Sequence, residues 1–395
     1  MSSRRFALLS HILPPSPSGQ SVMLYRILLG FAPENYYLVS REEYIKEAGN
    51  GDYLPAEYFS VPPPDVLRYI ARLRMPYPIR VILTTLILLI SRTTKLVKLI
   101  RNHPVQAIIA CTGDVVDIPS AFIASKILGI DFYAYILDDY VHHWTGYYRL
   151  FAKAISPWIF KRSTGLIGLN EYSCAEYTRR YHVDCLMVRN PCTMDTLTAP
   201  INSEWPLQAG KIKVVYTGSI YHANNDCFLN LINAIDALKL YEIELHIYTA
   251  QTEDQLSVQG IIGERVYVHP QISYNQALNV QRDADILFLP LAFNSPIPEV
   301  IRTSSPNKMG EYLASGRPVL AHAPEDSFVA YYFRKNYCGI IVDKSSADLL
   351  SEHIKQIVDN TDLRRDITSN ARACSVRDFN PIELQLILKN FLGVN

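Results

Sequence analysis

Residues 304–322 read SSPNKMGEYLASGRPVLAH, and the organisation of the chain can be worked outward from them. The signals predict a short helix over 306–315. Ser305 stands as N-cap, Pro306 takes the first helical position, where its missing N–H costs nothing, and Gly316 supplies a left-handed stop. At 3.6 residues per turn Asn307, Lys308 and Glu311 share a polar face, while Met309, Leu313 and the ring of Tyr312 point toward a core. Free N–H groups and a lysine in the first turn suit a phosphate, and a carboxylate one turn later suits a pair of sugar hydroxyls. Together they would clamp a nucleotide diphosphate. On the helix alone a solvated stripe with a Lys308–Glu311 pair, worth only about 0.2–0.5 kcal/mol, is equally compatible.

Outward from this stretch, the second half of the chain alternates strand and helix. Strands are predicted at 212–216, 243–248, 265–269, 284–289, 319–321 and 338–342, with helices near 225–238, 252–259 and 275–282 and more helices at the C-terminal end. The first half shows the same alternation. Strands fall at 5–10, 35–40, 105–111, 131–137, 165–169 and 185–188, with helices over 20–29, 118–128 and 171–181. Such alternation defines an α/β fold of doubly wound parallel sheets. Between the halves, 192–210 carries Pro200 and Pro206 without periodicity, and the domain boundary is expected there. The expected division is 1–200, 201–379 and a terminal helix, 380–395, packing back toward the first domain.

In the first half, the loop HILPPSPSGQ brings Gly19 to a helix start, where a missing side chain lets backbone approach a ligand; an ordinary turn glycine would look the same. The strand 131–137 ends in Asp138, Asp139, His142 and His143, the densest acid/base cluster of this half, at the strand edge where open α/β sheets place ligands. Neighbours on an extended segment face opposite ways, so one of Asp138 and Asp139 is expected in a cleft and the other as a loop staple or N-cap. From 66 to 113 there is no acidic residue, yet eight Lys/Arg occur. Pro76 and Pro78 split this region into two helices, the second with an apolar first half and a basic second half. Peripheral contact of the 66–103 region with an anionic membrane is one reading, and a buried crossover helix with a solvated end is the other.

Composition narrows the class. The 38 basic and 38 acidic side chains balance overall. They divide as 21 against 16 up to Pro200 and 17 against 22 beyond it, and nothing resembles a nucleic-acid module. The seven cysteines never take a CxxC spacing, which argues against a disulfide scaffold or a zinc site and favours a reducing cytoplasm. The N-terminal MSSRRFALLSHILPPSP reads as a first strand rather than a leader, and the longest apolar run, at 81–90, is half of what a bilayer crossing requires.

Two α/β halves with a phosphate-suited helix late in the second resemble the GT-B glycosyltransferases, in which two Rossmann-like domains face each other across a cleft. The closest resemblance is to the retaining group often called glycosyltransferase family four, or group 1. VVYTGSIYHANN looks like that group's first C-domain strand with its turn at Gly218 and Ser219, ADILFLPL like the strand before the donor site, and SPNKMGEYLASGRPVLA like its donor motif. The resemblance implies an N-terminal acceptor domain and a C-terminal donor domain, closing to exclude water. It implies Glu311 on the donor ribose, Lys308 with Ser305 and the backbone of Asn307 on the diphosphate, and the edge near His269 on the base. Gly19 would face the donor phosphates, and Asp139, Asp138 or His142 would stand beside the reacting sugar. No cofactor and no metal are implied; the nucleotide-diphosphate sugar is a co-substrate, and a saccharide or lipid-linked acceptor completes the reaction, in the cytoplasm or at the inner membrane face. The sequence departs from the group at Thr303, where a first glutamate is usual, and in lacking basic residues after the first C-domain strand. A sugar-nucleotide epimerase of the same fold and a nucleotide-binding partner subunit without turnover are the competing readings.

Overall fold

The computed structural model describes residues 4–44, 53–198, 205–207 and 210–394. The chain forms two compact units, 1–191 with 381–395, and 192–380. The boundary expected at Pro200 lies outside the described residues.

The first unit runs β1 (Phe6–Leu9), α1 (Gly19–Leu28), β2 (Tyr36–Ser40), β3 (Glu57–Ser60), α2 (Val66–Arg72), α3 (Tyr77–Asn102), β4 (Ala107–Cys111), α4 (Asp117–Leu128), β5 (Asp131–Ile136), α5 (Gly146–Phe160), β6 (Gly165–Gly168), α6 (Glu171–Tyr181) and β7 (Cys185–Met187). Its strands are parallel, in the order β3-β2-β1-β4-β5-β6-β7. β1 and β4 read as unbroken apolar runs, FALL and AIIAC, because both faces of the sheet are covered. Alternate residues feed two cores: Ala7, Leu9, Ile108 and Ala110 enter one, and Phe6, Leu8, Ile109 and Cys111 the other. Two elements escaped the sequence signals. β3 is an edge strand with no fully buried residue. α5 carries Gly146 at its start and Pro157 inside, both of which read as breakers; burial of Ala152, Ile159 and Phe160 holds the helix despite them.

The second unit runs α7 (Met194–Thr198), β8 (Ile212–Thr217), α8 (Asn225–Ala237), β9 (Ile243–Thr249), α9 (Glu253–Val258), β10 (Val266–Pro270), α10 (Tyr274–Arg282), β11 (Ile286–Pro290), α11 (Pro298–Thr303), α12 (Lys308–Ala314), β12 (Val319–His322), α13 (Phe328–Asn336), β13 (Ile340–Val342), α14 (Ala347–Asp359) and α15 (Thr361–Asp378). Its parallel sheet has the order β10-β9-β8-β11-β12-β13. Asp285, fully buried, ties the segment entering this sheet: its carboxylate accepts from Leu207 N and Lys213 N, both at 2.8 Å, and its carbonyl accepts from Trp205 Nε1 at 3.0 Å. After α15 the chain returns to the first unit as α16 (Pro381–Leu392), which buries Leu384, Leu388 and Leu392 in the core beneath α1.

Sheet order locates the switch points. In the first unit the winding reverses between β1 and β4, and in the second between β8 and β11. Crevices at the carboxyl ends of such strand pairs are where doubly wound sheets bind ligands.

His322, at the end of β12, is fully buried. Its Nδ1 lies 2.9 Å from the Val342 carbonyl and its Nε2 3.1 Å from Asn230 Nδ2, so the neutral ring donates at one nitrogen and accepts at the other. Burial is the main reason its pKa falls from 6.5 to about 4. The unfolded chain takes up a proton below pH 6.5 that the folded chain refuses until about 4, so the stability contribution is complete above 6.5 and is lost as pH falls through that window. The loss should reach roughly 2–3 kcal/mol near pH 4. Urea unfolding followed between pH 7.5 and 4.5 should show the decline, and His322→Gln should flatten it; an unchanged slope in the variant would place the sensitive group elsewhere.

Candidate functional site

The stretch around Lys308 folds differently from its local signals in one respect. α12 begins at Lys308, not Pro306, and Asn307 stands at the cap position with αR dihedrals and no side-chain cap bond. Met309 N reaches the Pro306 carbonyl at 2.9 Å, a tighter turn than an α-helix makes, and Ser305 is buried rather than capping. The helix is therefore only two turns long. Packing fixes it: Met309, Tyr312 and Leu313 are fully buried, and Arg372 Nη1 caps the other end by donating to the Ala314 carbonyl at 2.7 Å. Glu311, placed on the polar face by counting, is 7% exposed.

This brings Lys308 to the switch point of the second sheet. Its Nζ lies 3.2 Å from Tyr216 Oη and 4.4 Å from the centre of the Tyr216 ring, a hydrogen bond and a cation–π contact together. Tyr216, next to last in β8, is buried, and is itself fixed: its hydroxyl donates to the Ser219 carbonyl at 2.8 Å and accepts from Asn224 Nδ2 at 2.9 Å. Gly218 follows with φ +135°, and a Cβ there would stand 3.0 Å from Lys308 Nζ. Only glycine gives both the backbone angle and the room for the ammonium. Next to it, Thr217 N donates to Tyr312 Oη at 3.1 Å, so α12 is bonded directly to the end of β8. Ser219 is exposed on the turn.

The expected first glutamate of this region is replaced structurally as well as chemically. Thr303 ends α11, and its hydroxyl turns back to the Glu299 carbonyl at 3.3 Å. His269 is the next-to-last residue of β10 and is held by its neighbours. Its ring stacks on Tyr248 (4.4 Å, 17°), and its Nε2 meets His246 Nδ1 at 2.9 Å, with His246 Nε2 3.2 Å from Glu244. Burial lowers the pKa of both histidines, and a neutral pair satisfies this chain of contacts.

In the first unit, Asp138 and Asp139 do part company. Asp139 is buried; its Oδ1 accepts from Val141 N and His142 N at 2.9 and 2.8 Å, and its Oδ2 accepts from Arg180 Nη1 at 2.6 Å. Asp139 holds the turn and the arginine. Asp138 has half its side chain exposed, 3.9 Å from His143. Arg180 Nη2 lies 3.3 Å from His142 Nδ1; a guanidinium only donates, so Nδ1 accepts and the ring proton sits on Nε2. Gly19 is the exposed first residue of α1, capped by Ser18, whose side chain accepts from Ser21 N.

The sequence reading missed the residues at the first switch point. His11 follows β1, and its ring lies so close over Gly113, after β4, that a Cβ there would fall 2.1 Å from Cε1. Asp114 beside it accepts from Arg41 at 3.3 Å and pairs with buried Arg92 at 3.0 Å. The usable signal was a histidine directly after the first strand and a glycine directly after the fourth. Among the described residues no three His, Cys, Asp or Glu side chains gather as a metal site, and all seven cysteines are free thiols.

Two parallel doubly wound sheets, the second carrying a lysine over a glycine turn at its switch point, give the protein the GT-B fold. Residues 201–373 match the family model for glycosyl transferases, group 1. HepE of Anabaena, solved with UDP-glucose, superposes with TM-score 0.70 at 14% identity, covering 99% of this chain and 100% of that one. A glycosyltransferase from Rickettsia africae gives 0.69 at 12%, covering 99% and 98%. WaaG, described as a glycosyltransferase involved in lipopolysaccharide biosynthesis, gives 0.64 at 14%, covering 97% and 99%. No curated protein sequence matches the chain.

Proposed function

We propose that the protein transfers a sugar from a nucleotide-diphosphate sugar to a hydroxyl of a saccharide or lipid-linked acceptor, with retention of configuration, in cell-surface polysaccharide or glycolipid synthesis at the inner face of the membrane. The observation that carries this reading is Lys308, an ammonium fixed by Tyr216 over the Gly218 turn. The departing diphosphate gains negative charge as the glycosidic bond opens, and a positioned cation counts most there. Lys308 supplies that charge in place of a metal ion, and no cofactor takes part. Backbone near Ser305, Asn307 and Ser219 lines the phosphates, and Glu311 takes the ribose hydroxyls. In unit 1, Gly19 is the donor-phosphate residue, and Asp138 and His142 serve the acceptor side. There His142 offers an Nε2–H donor, and Asp139 positions it. The solved HepE complex with UDP-glucose makes that sugar nucleotide the first donor to try.

A thermal-shift screen with UDP, GDP, ADP, CMP and dTDP sugars should show one base raising the melting temperature, and that donor should then yield glycosylated product. Glu311→Gln should weaken the nucleotide roughly tenfold, the cost of one charge-assisted hydrogen bond, with little change in turnover at saturation. A protein that none of these nucleotides stabilises, and that transfers no sugar, would not be this enzyme. Nucleotide binding without any product would instead favour a partner subunit, a reading that the hydroxyl at Thr303 supports.

A further inference from the structure

α3 is anchored on one side only. Val81, Thr85, Arg92 and Leu96 face the core, with Arg92 paired to buried Asp117. On the opposite side Ile79, Ile82, Leu86 and Ile90 recur at spacings of three and four and are 47–63% exposed. Tyr69 and Leu73 of the preceding segment are exposed too. A soluble surface seldom leaves so long an apolar stripe uncovered. The same line of the helix continues through Thr93 and Val97 to Arg101. There, a groove of about 330 Å³ is lined by those three, Lys98 and the α4 residue Ile127. The Thr93 hydroxyl is buried in its wall without a hydrogen-bond partner.

Charge selects the occupant. Arg68, Arg72 and Arg74 are exposed ahead of the stripe, Lys98 and Arg101 are exposed behind it, and no acidic residue occurs from 66 to 113. A second copy meeting this face through a twofold axis would set arginine against arginine. An anionic bilayer offers hydrocarbon between two sheets of phosphate. We propose that the outer face of α2 and α3 docks the protein on an anionic membrane, with the Ile79–Ile90 stripe in the acyl boundary and the flanking cations at headgroup depth. A lipid phosphate would sit at the mouth of the groove, accepting from Lys98 and Arg101. The surface rests on the glycosyltransferase reading only in that a lipid-linked acceptor would then lie in the same membrane.

The test is flotation of the full chain with vesicles of phosphatidylcholine alone and of phosphatidylcholine with phosphatidylglycerol. Binding is expected only with phosphatidylglycerol, and to weaken at high salt. Lys98→Ala with Arg101→Ala should weaken it roughly thirtyfold, and Leu86→Asp with Ile90→Asp should abolish it. Both pairs are solvent-exposed, so melting temperature and any nucleotide-induced shift should match the parent. The proposal falls if the parent protein stays off the anionic vesicles, if it binds neutral vesicles equally, or if the variants bind like the parent. It falls equally if the stripe instead holds a dimer in solution that Leu86→Asp dissociates. Failure of the nucleotide screen with vesicle binding intact would sink the enzymatic reading and leave this surface standing.

Discussion

Lys308→Ala is expected to lower kcat/KM by roughly 10- to 150-fold, the equivalent of the ~1.5–3 kcal/mol carried by a hydrogen bond to a charged group. The fold should survive. Tyr216 keeps two other partners, Ser219 O and Asn224 Nδ2, so no buried hydroxyl is orphaned, and the lost cation–π contact costs about 0.5–1 kcal/mol. The loss should fall mainly on kcat, because the diphosphate charge that Lys308 meets grows in the transition state. Steady-state kinetics with the donor found by the nucleotide screen, alongside a melting curve, separates the two effects. Undiminished kcat/KM in the variant would reduce α12 to a packing element with a solvated lysine.

Arg180→Ala should be the most destabilising single change at either candidate site. One guanidinium serves two buried carboxylates: Nη1 donates to Asp139 at 2.6 Å and Nε to Glu176 at 2.5 Å. Removing it leaves Asp139, 4% exposed, without its cation. Breaking a buried pair in this way costs about 3–5 kcal/mol, more than the pair itself contributes, because an uncompensated charge stays behind. The turn that carries His142 should loosen with it. Asp139→Asn combined with Arg180→Ala should recover part of the loss, since the amide needs no counter-ion, and urea unfolding of the two singles and the double measures the coupling. Additive losses would mean that Arg180 and Asp139 do not act as a unit.

How far the sequence revealed this can be judged residue by residue. The doubly wound class was plain because strands such as AIIAC and ILFLP are apolar throughout and alternate with helices. The site was legible where chemistry sits close in sequence: Lys308 and Glu311 are three apart on one helix. It was illegible where the fold joins distant residues. Tyr216 reads as one more apolar strand residue, and its grip on a lysine 92 positions away depends on β8 and α12 meeting at the switch point. The same holds for His11 over Gly113. Local signals also misled at Ser305 and Pro306: cap propensities contribute about 1 kcal/mol, and burial of the serine and of Met309 overrode them. Asp139 illustrates the remaining limit. An acidic residue at a strand edge fits a base and a staple alike, and only its three donors, Val141 N, His142 N and Arg180, show that it holds the turn.

The return of α16 to the first unit also bears on how the chain is made. The second unit is continuous, 192–380, whereas the first needs residues from both termini of the chain. During synthesis the second unit can complete its core while the first still lacks Leu384, Leu388 and Leu392 beneath α1. The amino-terminal unit, though translated first, is therefore finished last, reversing the usual order in which domains emerge and fold. Until α16 has been made, the apolar floor under α1 stays open, so translation paused between the second unit and α16 would leave the second domain finished and the first unsealed.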